Sequence, residues 1–152
     1  VLDEEKQEIV QKKYYNLGIA VSAPTGLYVP VVKRAESKSL WDIAAEIGAL
    51  AAKARDNKLA LSDLQGGTFT VTNIGPIGGL FATPIILHPQ TGILGLMKMQ
   101  PRPVVRDGAI VIRTMMNLAL SFDHRVLDGA EAARFTSALI KRLESPRGLL
   151  VA

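Results

Sequence analysis

The segment that most limits how this chain can fold runs from Met115 to Leu143. Met115 to Phe122 is almost unbroken apolar sequence, which suits a buried central strand. Ala130 to Leu143 reads as a helix, with Leu139, Ile140 and Leu143 on one face. Between them lies Ser121-Phe122-Asp123-His124-Arg125-Val126-Leu127-Asp128-Gly129. A strand-to-helix junction of this kind lets a rigid scaffold hold a side chain open to substrate, and His124 sits there. Imidazole has the unperturbed pKa nearest neutrality, so it can serve as a base at cell pH. A lone histidine beside a strand is more often structural. Asp128 also has a structural reading: Asp128-x-x-Glu131 has the spacing of a capping box opening the last helix. That role and a chemical one are compatible.

Composition removes several function classes. The 152 residues suffice for a buried core and one domain. There is no cysteine, so disulfides, zinc thiolate sites and cysteine nucleophiles are excluded. The two histidines are far apart in the sequence, which argues against a metal site. No apolar run reaches the length of a membrane span. The net charge of +4 comes from scattered basic residues with few aromatics between them. Nucleic-acid binding needs a concentrated basic face with stacking groups, so that class is set aside. An anionic small ligand fits the charge better.

In chain order, Glu8 to Tyr15 and Leu17 to Val21 read as strands, interrupted at Asn16 and Gly18. Ala23-Pro24-Thr25-Gly26 is a turn. Leu27 to Val32 is a strand broken by Pro30, which makes it an edge or interrupts its pairing there. Ser39 to Asn57 is a helix capped by Ser37 or Ser39, with Leu40, Ile43, Ala44, Ile47, Leu50, Ala51 and Ala54 on one face. Leu61 to Gly67 is a connector. Thr68 to Thr72 alternates as a strand with one polar face. Asn73-Ile74-Gly75-Pro76-Ile77-Gly78-Gly79 lacks the lysine and serine of a P-loop, and reads as a tight turn with close backbone packing. His88 falls in a surface loop, and Arg106-Asp107-Gly108-Ala109 marks a hairpin.

Four motifs together resemble the catalytic domain of the dihydrolipoamide acyltransferases, the core components of 2-oxo acid dehydrogenase complexes. They are Lys12 to Val21, Gly26 to Val32, Gly66 to Gly75 and Asp123 to Gly129, in that order. The resemblance runs from about Ile9 to the C-terminus. It implies an α/β fold similar to chloramphenicol acetyltransferase: a mixed β-sheet with helices packed on one side. It implies acyl transfer between dihydrolipoamide and coenzyme A. In that chemistry His124 matches the general base, Thr72 the hydroxyl that stabilises the oxyanion, and Asp128 a structural partner of an arginine. Ser22, Asn73, Leu96 and Lys98 match stretches lining the coenzyme A channel. The resemblance further implies a homotrimer whose sites form between subunits, building a 24- or 60-subunit cage. Leu149 to Val151 matches a segment that docks between trimers. The partners implied are the decarboxylase and dihydrolipoamide dehydrogenase components of the complex, with the lipoyl group carried on a domain outside this chain.

The family domain normally has a further stretch before the position of Val1. On that comparison residues 1–152 are expected to be most of one catalytic domain without its N-terminal portion, its lipoyl domain or its subunit-binding domain, and to have weakened or no activity alone. The Val126 to Phe135 segment looks closer to acetyl- or branched-chain-transferring members than to succinyl-transferring ones. A bacterial or archaeal cytoplasm is expected rather than a mitochondrial matrix. The alternative is a non-catalytic scaffold of the same complexes. An antibiotic acetyltransferase shares only the histidine motif.

Overall fold

A computed structural model of the chain describes residues 1–146. Its centre is a five-stranded mixed sheet in the order β11-β8-β7-β3-β6. These strands are Leu118–Phe122 (β11), Gly92–Leu96 (β8), Phe69–Asn73 (β7), Leu17–Ile19 (β3) and Val31–Val32 (β6). β7 runs parallel to both β3 and β8, and the outer pairs β3–β6 and β8–β11 are antiparallel. Three two-stranded ribbons complete the strands: Leu2–Asp3 with Glu8–Ile9 (β1, β2), Val21–Ala23 with Gly26–Tyr28 (β4, β5), and Gln100–Arg106 with Ala109–Met115 (β9, β10). The helices are Leu40–Arg55 (α1), Leu61–Leu64 (α2) and Gly129–Glu144 (α3). Among the described residues no helix is long and apolar enough to cross a membrane.

Both long helices lie on one face of the sheet, and the register shows why. Leu17 pairs with Phe69 and Val32, and Phe122 with Gly92, placing Leu17, Phe69 and Phe122 on the same side. Val32 and Leu17 pack with Ile43, Ile47 and Leu50 of α1. The Phe135 ring of α3 lies 5.8 Å from that of Phe69. Gly92 leaves room for this packing, since a Cβ there would come within 2.9 Å of the Phe69 ring. The opposite face carries Thr70 and Thr72.

α1 starts at Ser39, whose hydroxyl accepts the Asp42 N–H at 3.1 Å while the Asp42 carboxylate accepts the Ser39 N–H. Its buried stripe is narrower than expected. Ile43, Ile47, Leu50 and Ala54 face inward, but Leu40 and Ala44 are exposed. At 100° per residue these two sit about 50° and 90° from the centre of the inward line, beyond the reach of the short strands beneath.

Three expectations fail for identifiable reasons. Glu8 to Tyr15 is not one strand, because pairing stops at Ile9. The Tyr15 N–H then donates to the Glu36 carboxylate instead of a ladder. Met115 to Phe122 is not a buried central strand. Asn117 interrupts it by donating to the Leu80 carbonyl and accepting from Arg102, and β11 forms the edge of the sheet with half-buried residues. Leu61 to Gly67 holds a short helix rather than a plain connector. The hairpin at Asp107-Gly108, the turn at Pro24-Thr25 and the edge strand after Pro30 all form as expected. The Leu149 to Val151 segment lies outside the described residues.

Asn16 ties the elements together. Its buried amide donates to the Gly66 carbonyl at 2.7 Å and accepts the Arg34 N–H at 2.8 Å, while its backbone N–H meets the Thr68 hydroxyl. Arg34 is held at φ 52° there. Asn16→Ala strips two backbone groups of their partners, each worth about 1–3 kcal/mol when partly buried. Urea unfolding should show a loss of about 2–4 kcal/mol with the slope unchanged.

Candidate active site

His124 occupies a tight turn where β11 passes into α3. The turn is set by the Asp123 carbonyl, which accepts the N–H of Val126 at 3.0 Å and of Leu127 at 3.1 Å. The imidazole is exposed, and its ring stands 5.6 Å from that of Phe122. Among the described residues it makes no hydrogen bond. It opens on a cleft of about 350 Å³ shared with Ile86, His88 and Phe122. His88 is exposed on its loop, as expected. That loop is pinned to the sheet because the Thr70 hydroxyl donates to buried Gln90 at 2.6 Å.

The residues flanking His124 are paired with each other through charge, which the motif reading missed. Arg125 lays its backbone N–H, Nε and Nη2 on the Asp123 carboxylate at 2.8–3.0 Å. Its Nη1 reaches Glu4 at 2.8 Å, across 121 residues of sequence. The available signal was the opposite charges on either side of the histidine. The Arg125 guanidinium, aided by its backbone N–H, lowers the Asp123 pKa from 3.8 to about 2. A carboxylate held lower in the fold than in the unfolded chain stabilises the fold above the unfolded value. That contribution is complete above about pH 4 and disappears as pH falls through about 2. Acid titration followed by circular dichroism should therefore show Asp123→Asn destabilised at neutral pH but converging on the parent below about pH 2.

Asp128 caps α3. Its carboxylate accepts the Glu131 N–H at 2.8 Å, and Glu131 reaches back toward the Asp128 N–H. The expected capping box is present. No arginine pairs with Asp128 among the described residues. Asp128→Ala should cost about 1 kcal/mol from the lost cap, read as a fall in Tm of about 2–4 °C.

The other candidate residues lie at the opposite rim. Thr72 pairs with Gly95 and Asn73 with Leu96 at the C-terminal ends of the parallel strands β7 and β8. The Lys98 N–H donates to the Gly79 carbonyl at 2.8 Å, closing the Asn73 to Gly79 loop over the same end. The loop is the tight turn expected, since a Cβ on Gly75 would come within 2.6 Å of the Met97 carbonyl oxygen. Thr72 is half-buried, Leu96 is half-buried, and Asn73 and Lys98 are exposed. Ser22 is exposed on β4, beyond the same end of β3. β11 is antiparallel to β8, so its end meets the beginning of β8, with Phe122 opposite Gly92. His124 and Thr72 are thus separated by two strand spacings and about five residues of strand length, more than roughly 15 Å. One chain brings Thr72, Asn73, Leu96 and Lys98 together and leaves His124 and Asp128 apart from them. Among the described residues no cluster of three histidine or carboxylate side chains could hold a metal ion.

Comparison with known proteins places this geometry. The succinyltransferase component of the 2-oxoglutarate dehydrogenase complex of Bartonella vinsonii is 52% identical over 95% of this chain and 35% of its own length. The acetyltransferase component of the pyruvate dehydrogenase complex of Bacillus subtilis is 44% identical over 99% of this chain and 34% of its own length. The structure of Azotobacter vinelandii dihydrolipoamide acetyltransferase superposes with a TM-score of 0.94 at 45% identity, covering 98% of this chain and 61% of that one. The cubic core of a pyruvate dehydrogenase multienzyme complex gives the same TM-score at 44% identity and the same two coverages. The chain thus spans about a third of the length of these curated relatives. The family model for the 2-oxoacid dehydrogenases acyltransferase catalytic domain matches residues 1–151, and the chain belongs to that family.

Proposed function

We propose that this domain transfers an acyl group between a dihydrolipoyl thiol and the thiol of coenzyme A, with His124 as general base and Thr72 as oxyanion donor. The observation that carries this reading is one of spacing. His124 follows Thr72 by 52 residues and Asp128 follows His124 by four. A serine, a histidine and an asparagine, at the same intervals, are the residues whose catalytic role was studied in the Azotobacter vinelandii enzyme. Threonine keeps the hydroxyl of serine. Aspartate for asparagine keeps an acceptor oxygen for the cap.

The chemistry follows from these side chains. A thiol of pKa about 8.5 is mostly protonated near neutrality, and the thiolate is the nucleophile. The His124 imidazole takes the coenzyme A thiol proton as sulfur attacks the acyl-lipoyl thioester carbon. The carbonyl oxygen gains charge and receives the Thr72 hydroxyl hydrogen bond. Collapse expels the dihydrolipoyl sulfur, and the imidazolium returns the proton to it. The register separation supports a site built from two subunits, the His124 rim of one facing the Thr72 rim of its neighbour. Asn73, Leu96, Lys98 and Ser22 lie on the Thr72 rim, which suits the coenzyme A side. The likeness to a cubic core supports trimers within a larger cage.

The Val126 to Phe135 segment favours acetyl or branched-chain acyl groups over succinyl. The relatives include both kinds, a succinyltransferase at 52% identity and an acetyltransferase at 44%, and the higher identity favours succinyl as the first group to assay. The test uses the whole protein, with succinyl-, acetyl- and isobutyryl-coenzyme A as donors, dihydrolipoamide as acceptor, and the assembly mass measured in the same preparation. Transfer from one donor well above the others assigns the acyl group. A well-assembled cage that transfers none of them would mark the protein as a scaffold and end the catalytic reading.

A further inference from the structure

The side chains around His124 form a connected ionic clamp that the acyl-transfer chemistry itself does not use. Three N–H groups of Arg125 converge on the Asp123 carboxylate, in the forked geometry that makes guanidinium–carboxylate pairs directional. The fourth contact, Nη1 to Glu4, comes from the turn between β1 and β2. Just past that ribbon the Val10 N–H donates to the Val1 carbonyl at 2.8 Å. On the other side the Asp123 N–H donates to the Thr91 carbonyl at 2.9 Å, joining the turn to the start of β8. His124 lies between the two members of the pair, so both of its neighbours are fixed while its own ring stays free. A turn free to shift would swing the His124 Cα–Cβ bond, and with it the direction from which the imidazole reaches substrate.

We propose that Arg125 is a positioning residue for His124, and that Glu4 of the N-terminal ribbon is the outer brace of the same clamp. This rests on the acyl-transfer reading. The clamp fixes the turn through which the imidazole enters the site, and touches neither thiol. Its loss should therefore lower turnover without altering how substrates bind. A general base displaced by about an ångström loses rate steeply, because proton transfer needs hydrogen-bond reach.

The test compares Arg125→Gln, Arg125→Lys and Glu4→Gln in the whole protein, using whichever acyl-coenzyme A the parent transfers fastest. Arg125→Gln should lower kcat at least tenfold, with both KM values within twofold and the assembly mass unchanged. Arg125→Lys should recover part of that loss, since lysine keeps the charge but not the fork. Glu4→Gln should lower kcat two- to fivefold. A kcat for Arg125→Gln within twofold of the parent overturns the proposal, and so does a rise in KM that accounts for the whole loss. If Arg125→Gln fails to assemble, Glu4→Gln decides alone, because it touches only the exposed arm. A parent with no transferase activity ends the acyl-transfer reading instead. In that event amide hydrogen exchange over residues 120–128 still judges the clamp: faster exchange in Arg125→Gln supports it, and unchanged exchange rejects it.

Discussion

His124→Ala should lower the acyl-transfer rate of the whole protein by about 10²–10⁴-fold, the range for loss of a positioned general base. That corresponds to about 3–5.5 kcal/mol of barrier. The change removes an exposed ring that makes no hydrogen bond among the described residues, so the fold should not register it. Among the described residues the ring packing it loses is the 5.6 Å approach to Phe122. Tm and assembly mass should therefore match the parent while kcat collapses. A variant that keeps more than a tenth of parental kcat would remove His124 from the role of base.

Thr72→Val should cost about 10²–10³-fold in kcat, the usual effect of deleting one oxyanion donor. Valine keeps the branched shape, and Thr72 makes no side-chain hydrogen bond among the described residues, so the strand should tolerate it. The register gives this variant a second use. His124 and Thr72 stand at opposite rims, so a site needs one chain for each. Co-expressing His124→Ala with Thr72→Val in equal amounts pairs an intact histidine with an intact threonine at roughly a quarter of random interfaces in a ring of subunits. Activity should return to about that fraction of the parent, though each variant alone is nearly silent. Mixed assemblies as inactive as the single variants would show that both groups act from one chain.

Much of the fold could be read locally. Asp128 announced its helix because a side-chain acceptor three residues before an acidic partner satisfies the orphan N–H groups of a first turn, whatever surrounds it, whereas Ser37 and Ser39 were equal candidates for the first helix until the Asp42 N–H met Ser39. Asp107-Gly108 announced its hairpin for a similar reason, since both residues adopt positive φ. Strand position was less legible. Met115 to Phe122 is apolar enough for a central strand, but the number of neighbours a strand acquires depends on the whole sheet, and Asn117 ended the run by finding partners at Leu80 and Arg102. Asn16 looked like an interruption and proved to be a hub, because its partners at residues 34, 66 and 68 are distant in sequence.

The candidate site divides in the same way. Which chemical groups are present is legible along the chain, because a histidine at a strand-to-helix junction, its capping aspartate and a threonine strand are set by short spacings. How they stand to one another depends on the assembled sheet. The antiparallel pairing of β11 with β8 sends His124 to one rim, while the parallel pairing of β7 with β8 sends Thr72 to the other. The Glu4–Arg125 pair likewise exists only once 121 residues have folded between its ends. The difference is one of range. Caps and turns are satisfied within a few residues, whereas sheet order and ion pairing across the molecule are fixed by burial of the common face, which no single segment can accomplish alone.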